Sequence, residues 1–168
     1  FFEPSSGTIL FDKIPLQNID KQKMRNSIGL YLENMKVIQG NVKENILLGN
    51  TESTTEDILE LSEYIGIENT SSLFSSGFFT EISETDSEIT FSSKKKILLL
   101  RALLGEKRLI ILENPFAGLQ PEHQEKMMKY LQMKKEKTTI ILVSQDKNLL
   151  EIADQHIHME DGTLKILS

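Results

Sequence analysis

The sequence predicts an α/β fold built on a parallel sheet, and three stretches carry that expectation. Leu109–Leu112 and Thr138–Val143 are short apolar or β-branched runs bounded by turn signals. That is the pattern of strands buried on both faces of a parallel sheet. Ile97–Leu104, just ahead of the first, reads as an apolar helix stopped by Gly105. The strand at Leu109–Leu112 ends at Glu113. An acidic residue at the carboxyl end of such a strand stands where α/β sheets bind ligands. An ordinary solvated glutamate fits the same stretch.

Composition narrows the class. The 168 residues amount to about one domain, and 39% hydrophobic content is enough for a core. The net charge of -6 argues against nucleic acid or an anionic membrane surface as the main partner. Lys94-Lys95-Lys96 is the one basic cluster of note and reads as a solvated helix face. There are no cysteines, so disulfides, thiolate metal sites and cysteine nucleophiles are excluded. No apolar run approaches the ~18 to 20 residues of a membrane-spanning helix, and no signal-peptide pattern opens the chain.

The remaining elements follow in order. Pro4–Gly7 is turn chemistry, and Thr8–Phe11 a short strand closed by Asp12 and Lys13. Residues 13–26 are polar, with apolar Ile14, Leu16, Ile19 and Met24, and Ser27–Leu32 reads as a strand. Asn41–Leu48 is a capped helix ended by Gly49. Ser53, Thr54 or Thr55 caps the next, which carries Glu56 and Asp57 in its first turn and stops or breaks at Gly66. Asn69–Gly77 is a Ser-rich loop. Pro121 suits the first turn of a helix running to about Lys135. A short helix at about Lys147–Ala153 precedes a strand pair turned by Asp161-Gly162. His123, His156 and His158 lack metal-ligand spacing and read as solvated.

Several motifs taken together resemble an ATP-binding cassette (ABC) ATPase. They are Arg101-Ala102-Leu103-Leu104, the strand ending in Glu113-Asn114-Pro115, and the tail from Ala153-Asp154 to Gly162-x-Leu164. Glu3-Pro4-Ser5-Ser6-Gly7-Thr8-Ile9 is similar to the stretch that follows the phosphate-loop helix in that family. Gly40, Glu44, Asn45, Ile46 and Gly49 match the exporter-type pattern Phe-x-Gly-Thr-Ile-x-Glu-Asn-Ile-x-x-Gly, which lies near the groove for the membrane subunit.

The resemblance implies a P-loop NTPase-like parallel-sheet core, with residues 1–168 a partial nucleotide-binding domain. A small helical subdomain is then inserted at about residues 50–95. The phosphate-loop pattern G-x-x-x-x-G-K-S/T occurs nowhere in the chain, so the chain is expected to start just past that loop. It is then either a fragment or a domain that lacks its first part, and a parallel sheet without that part exposes an apolar face.

At the sites, the frame matches while the residues differ. Glu33 stands at the Q-loop glutamine and Glu113 at the Walker B acid, and both carboxylates suit magnesium, a hard cation. A surface glutamate is the other reading of Glu33. Asn114 stands at the general base and Gln145 at the switch histidine, and neither side chain titrates near neutral pH. The signature Leu-Ser-Gly-Gly-Gln aligns with Ile89–Ser93. Thr90, Ser92 and Ser93 keep hydroxyls there, while Phe91 replaces a glycine that lets backbone approach a phosphate. Gln120 replaces the D-loop aspartate.

The implied cofactors are ATP and magnesium. The implied partners are a transmembrane subunit or domain and a second nucleotide-binding domain, with no nucleic acid. The implied location is cytoplasmic, peripheral to the inner or plasma membrane through the partner. Losing a general base typically lowers a rate ~10² to 10⁴-fold. The expectation is therefore an ATP-binding domain of an exporter with weak or absent hydrolysis. The alternatives are an active ATPase that uses Glu113 for magnesium, and a non-catalytic regulatory or interaction module that kept the fold.

Overall fold

The computed structural model describes residues 4–50, 52–67, 76–85, 89–146, 149 and 152–167. At its centre lies a three-stranded parallel sheet of β3 (Ile28–Tyr31), β6 (Leu109–Glu113) and β7 (Thr139–Val143), in the order β3-β6-β7. The register pairs Ile28 with Leu109 and Tyr31 with Leu112, then Leu109 with Thr139 and Glu113 with Val143. Ahead of it, β1 (Leu10–Phe11) and β2 (Ile14–Pro15) form a hairpin. Its turn residues Asp12 and Lys13 both take positive φ, 48° and 66°. The strand expected over Thr8–Phe11 is thus limited to two residues.

Helix α1 (Lys21–Asn26) is capped by Asp20, whose carboxylate accepts the N–H groups of Gln22 and Lys23. The strand β4 (Gly40–Asn41) runs into α2 (Val42–Leu47). There Asn41 and Glu44 make a reciprocal capping box. Thr54 and Asp57 repeat that device for α3 (Thr55–Ile65), which ends at Gly66 with φ 76°. Glycine takes such a left-handed stop without Cβ strain. Strand β5 (Glu81–Ile82) pairs antiparallel with β4. The sequence shows no strand there, because two residues are too few to display an alternation. Residues 69–75 of the expected Ser-rich loop lie outside the described residues, as does most of the expected helix at Lys147–Ala153.

Helix α4 (Phe91–Leu103) is the core of the molecule. Ile97, Leu98, Leu99, Leu100, Ala102 and Leu103 are all buried. The helix begins six residues earlier than its apolar run suggests, because Thr90 caps it and the lysines extend its first turns. Gly105, with φ 77°, follows its end. One face of α4 lies directly on β3. A Cβ placed on Gly29 would stand 1.9 Å from the carbonyl oxygen of Ala102, so only glycine fits there. Arg101 ties α4 to α2: its Nε donates to the Asn45 carbonyl at 2.7 Å, and its Nη2 to Asn45 Oδ1 at 2.9 Å. Asn45 is fully buried and donates to the carbonyls of Ile38 and Asn41. Helix α5 (Pro121–Lys134) adds Met127 and Leu131 to the same core and packs on α3.

Two expectations are corrected here. Strand β7 is not buried on both faces: Ile141 is 46% and Val143 53% exposed. It terminates the sheet among the described residues, and Ile28, Leu30, Leu109 and Ile111 on the same face are only half buried. One apolar face of the sheet is open. His123 is not simply solvated either, since its ring packs against Gly66, within 2.7 Å of where a Cβ would be. The terminal hairpin of β8 (Ile157–Glu160) and β9 (Thr163–Ile166) forms as expected, with φ 49° at Asp161 and 73° at Gly162.

Two outcomes follow from this packing. Gly29→Ala should lower the unfolding free energy of the complete chain by about 1–3 kcal/mol or more, read by urea denaturation, because a backbone carbonyl cannot move aside cheaply. Residues 1–168 in isolation should elute as oligomers or aggregates in size-exclusion chromatography with light scattering, and replacing Ile141 and Val143 with threonine should raise the monomer fraction.

Candidate functional site

The parallel register brings the carboxyl ends of β3, β6 and β7 side by side, and the acidic and amide residues singled out in the sequence lie there. The N–H of Glu33 donates to Glu113 Oε2 at 3.0 Å. Asn114 follows with φ 44°, a left-handed conformation that asparagine tolerates better than most residues. Its N–H donates to the Val143 carbonyl at 2.8 Å, which locks the loop after β6 onto the end of β7. Gln145 lies two residues beyond Val143 and is exposed. Glu33, Glu113, Asn114 and Gln145 therefore occupy neighbouring loops at one edge of the sheet.

The signature-position residues sit apart from that set. Thr90 caps α4, with its hydroxyl accepting the Ser93 N–H at 3.1 Å and meeting the Ser93 hydroxyl at 2.9 Å. Ser93 is buried, Ser92 is exposed and Phe91 is 75% exposed. Among the described residues, no hydrogen bond joins Thr90, Ser92 or Ser93 to Glu33, Glu113 or Asn114.

The lysine run is the residue set that the sequence misleads on. Three consecutive helical residues span more than half a turn, so they cannot all face water on a packed helix. Lys95 is buried at 6% exposure. Its Nζ donates to the Asn114 carbonyl at 2.9 Å and the Ala117 carbonyl at 2.5 Å, and lies 5.5 Å from the centre of the Tyr31 ring. Lys94 and Lys96 donate to the carbonyls of Glu84 and Gly66. Helical spacing holds the clue, since Lys95 shares a face with Leu98, Leu99 and Ala102. Burial pushes the Lys95 ammonium below its ordinary pKa, and the charge of Glu33 opposes that shift. Burial, reinforced by Glu33 and Glu113, pushes the Tyr31 phenol up to about 12.

The donor set suits magnesium in kind, because Glu113 at the end of β6 and Glu33 just beyond β3 both carry carboxylates, and the Glu33 backbone N–H meets the Glu113 carboxylate. Among the described residues, no group of three or more His, Cys, Asp or Glu forms a cage. Magnesium is commonly held by one or two carboxylates together with phosphate oxygens and water, so the pair fits that mode. Cavity size does not choose the site. The cavity lined by Tyr31, Glu33, Phe91 and Lys95 measures about 80 Å³, far below the ~300–1,000 Å³ of ligand pockets. Two clefts of about 860 and 910 Å³ lie elsewhere, and neither is lined by Glu33, Glu113 or Asn114. The acidic residues Glu33 and Glu113 at the carboxyl ends of neighbouring strands outweigh volume, because α/β sheets bind ligands there.

The fold matches a segment of a solved ABC exporter. A solved bacterial Atm1-family ABC exporter with ATP bound superposes with a TM-score of 0.83 at 14% identity, over 96% of this chain and 28% of that one. No family model matches the chain. The lactococcin-A transport/processing ATP-binding protein LcnC of Lactococcus lactis is 31% identical over 163 residues, 96% of this chain and 22% of the relative. The mesentericin transport/processing ATP-binding protein MesD of Leuconostoc mesenteroides is 33% identical over 165 residues, 98% and 23% respectively. A probable ABC transporter ATP-binding/permease protein of Haemophilus influenzae is 27% identical over 98% of the chain and 30% of the relative. The chain is thus a homologue of ABC transporter ATP-binding proteins along nearly its whole length. It spans between a fifth and a third of the length of these relatives. Among the described residues, no helix is long and apolar enough to cross a membrane.

The capping role of Thr90 sets an expected outcome. Thr90→Ala should destabilise the complete chain by about 1 kcal/mol in urea denaturation. Ser92→Ala, at an exposed position, should stay within about 0.5 kcal/mol.

Proposed function

We propose that this chain is part of the ATP-binding domain of an exporter-type ABC transporter, and that its half-site binds nucleotide while hydrolysing it weakly or not at all. The observation that carries the reading is the Glu113 carboxylate at the end of β6, held by the Glu33 backbone N–H and followed at once by Asn114 in place of a base. The two carboxylates offer oxygen ligands to magnesium. Bound magnesium would neutralise phosphate charge and orient the terminal phosphoryl group. Asn114 can orient a water by hydrogen bonding, and it cannot accept the proton. Gln145 likewise offers hydrogen bonds without proton transfer.

In this reading the exposed Thr90 and Ser92 face the nucleotide of a second nucleotide-binding domain, while the buried Ser93 supports Thr90 from within. The N-terminus of α4 contributes its backbone N–H groups there, with Phe91 limiting how closely a phosphate approaches. A transmembrane domain or subunit is the other partner, which places the domain on the cytoplasmic side of the membrane. The names of the relatives, transport/processing and ATP-binding/permease proteins, favour this arrangement.

The test is thermal unfolding of the complete natural chain with and without Mg-ATP, followed by phosphate release. A ligand at ~100 times its dissociation constant adds about 2.7 kcal/mol to the native state. The expected result is a raised midpoint with phosphate release at background, and a smaller shift for Glu113→Gln. A raised midpoint with sustained release would instead establish an active ATPase that uses Glu113 for magnesium. An unchanged midpoint would leave an interaction module without nucleotide.

A further inference from the structure

Lys95 is a charge placed where charge is expensive. It lies on the buried face of α4, one turn beyond the cap at Thr90. Its two carbonyl partners, Asn114 and Ala117, belong to the turn that follows β6. Phe116 and Leu119 of that turn are buried in the core, and the Asn114 N–H holds its start to β7. Pro115 has no N–H, and Asn114 and Gly118 take positive φ, 44° and 76°. The Ala117 N–H returns to the Asn114 carbonyl at 3.3 Å, and the Leu119 N–H to the Phe116 carbonyl at 3.0 Å, so these bonds close the turn on itself. On its far side, Gln124 donates to the Leu119 carbonyl at 2.9 Å. The lysine adds the polar tie from the turn to α4, through two hydrogen bonds.

We propose that Lys95 is a positioning residue of the candidate site: its buried ammonium draws the Asn114 and Ala117 carbonyls onto α4 and thereby fixes Glu113 and Asn114 at the end of β6. Glu113 immediately precedes the clamped residue, and its carboxylate accepts the Glu33 N–H. A relaxed turn would move both that carboxylate and the Asn114 side chain. The ring of Tyr31, 5.5 Å from Nζ, faces the ammonium from β3, so strand, helix and turn meet at one amine. A neutral apolar side chain of equal length would leave two carbonyls facing a buried alkyl group. The depression of the lysine pKa by burial agrees with this enclosure. The consequence for nucleotide rests on the function proposed above; the clamp itself does not.

The experiment uses the complete chain and measures amide hydrogen exchange together with ATP affinity. Lys95→Met should speed exchange at Ala117, Leu119 and Glu33 about tenfold or more, while amides of Leu98–Leu100 in α4 stay protected. Lys95→Arg, which keeps charge and donors, should restore protection, and Lys94→Met should leave the three amides unchanged. ATP affinity should fall about tenfold in Lys95→Met and recover in Lys95→Arg. If Lys95→Met fails to fold, Lys95→Gln takes its place as the variant that keeps a shorter neutral donor, with an intermediate acceleration expected. Uniform acceleration over the whole chain would overturn the proposal by making Lys95 a general stabiliser, and unchanged exchange at the three amides would overturn it outright. Local acceleration in a chain whose wild type shows no affinity for ATP would support the clamp and defeat the nucleotide reading.

Discussion

The separation of β3 and α4 is set by a side chain that is absent. Gly29 lets the Ala102 carbonyl come within bonding distance of where a Cβ would stand, and everything on α4 takes its height from that contact. With the helix this low on the sheet, Leu99 and Leu100 fill the space on one side and Lys95 reaches the loop after β6 on the other. A helix a methyl group higher would lift the ammonium away from its carbonyls. Packing and site geometry are therefore one constraint, because interiors this dense leave no slack to absorb such a shift.

The second fixture is polar. Asn45 uses its amide oxygen, its amide nitrogen and its backbone carbonyl at once. It joins the segment descending from Glu33, the helix α2 and Arg101 in the middle of α4. A buried polar network satisfied on every member specifies one arrangement, since any alternative strands a donor or acceptor. Arg101 is one and a half turns from Lys95 on the same helix. The segments carrying Glu33 and Asn114 are thus held from one rigid rod by two cationic side chains whose partners are mainly backbone carbonyls.

What was readable in the chain was local chemistry. The helix starting at Asn41, the stops at Gly66 and Gly105, and the Asp161-Gly162 turn involve residues close in sequence, so their identity announces them, whereas the cap at Thr54 was one of three candidates and its partner Asp57 emerges from the structure. The strand ending in Glu113 was equally plain. The pairing of Glu33 with Glu113 was inferred only as two separate positions on a resembling family, since their contact spans 80 residues. What the chain hid were contacts made through space by residues of ordinary type. Gly29 looks like any strand glycine, and Lys95 is masked by lysines on either side. The exposure of β7 was misjudged strand by strand because Ile140–Val143 is apolar whether or not something covers it; only the family frame pointed to an open face.

The pairing of β3 with β6 also bears on the order of events at the ribosome. Ile28 and Leu109 are neighbours in the sheet yet roughly eighty residues apart along the chain. At about 5–20 residues per second, β3 waits roughly 4–16 s after its synthesis before its partner strand exists. During that interval Ile28 and Leu30 have no sheet to join, and α1 and α2, six residues each, are too short to hold together without the core they pack on. The nascent chain carries an unpaired apolar strand through that interval, and it is in that window that a chaperone would find most to hold.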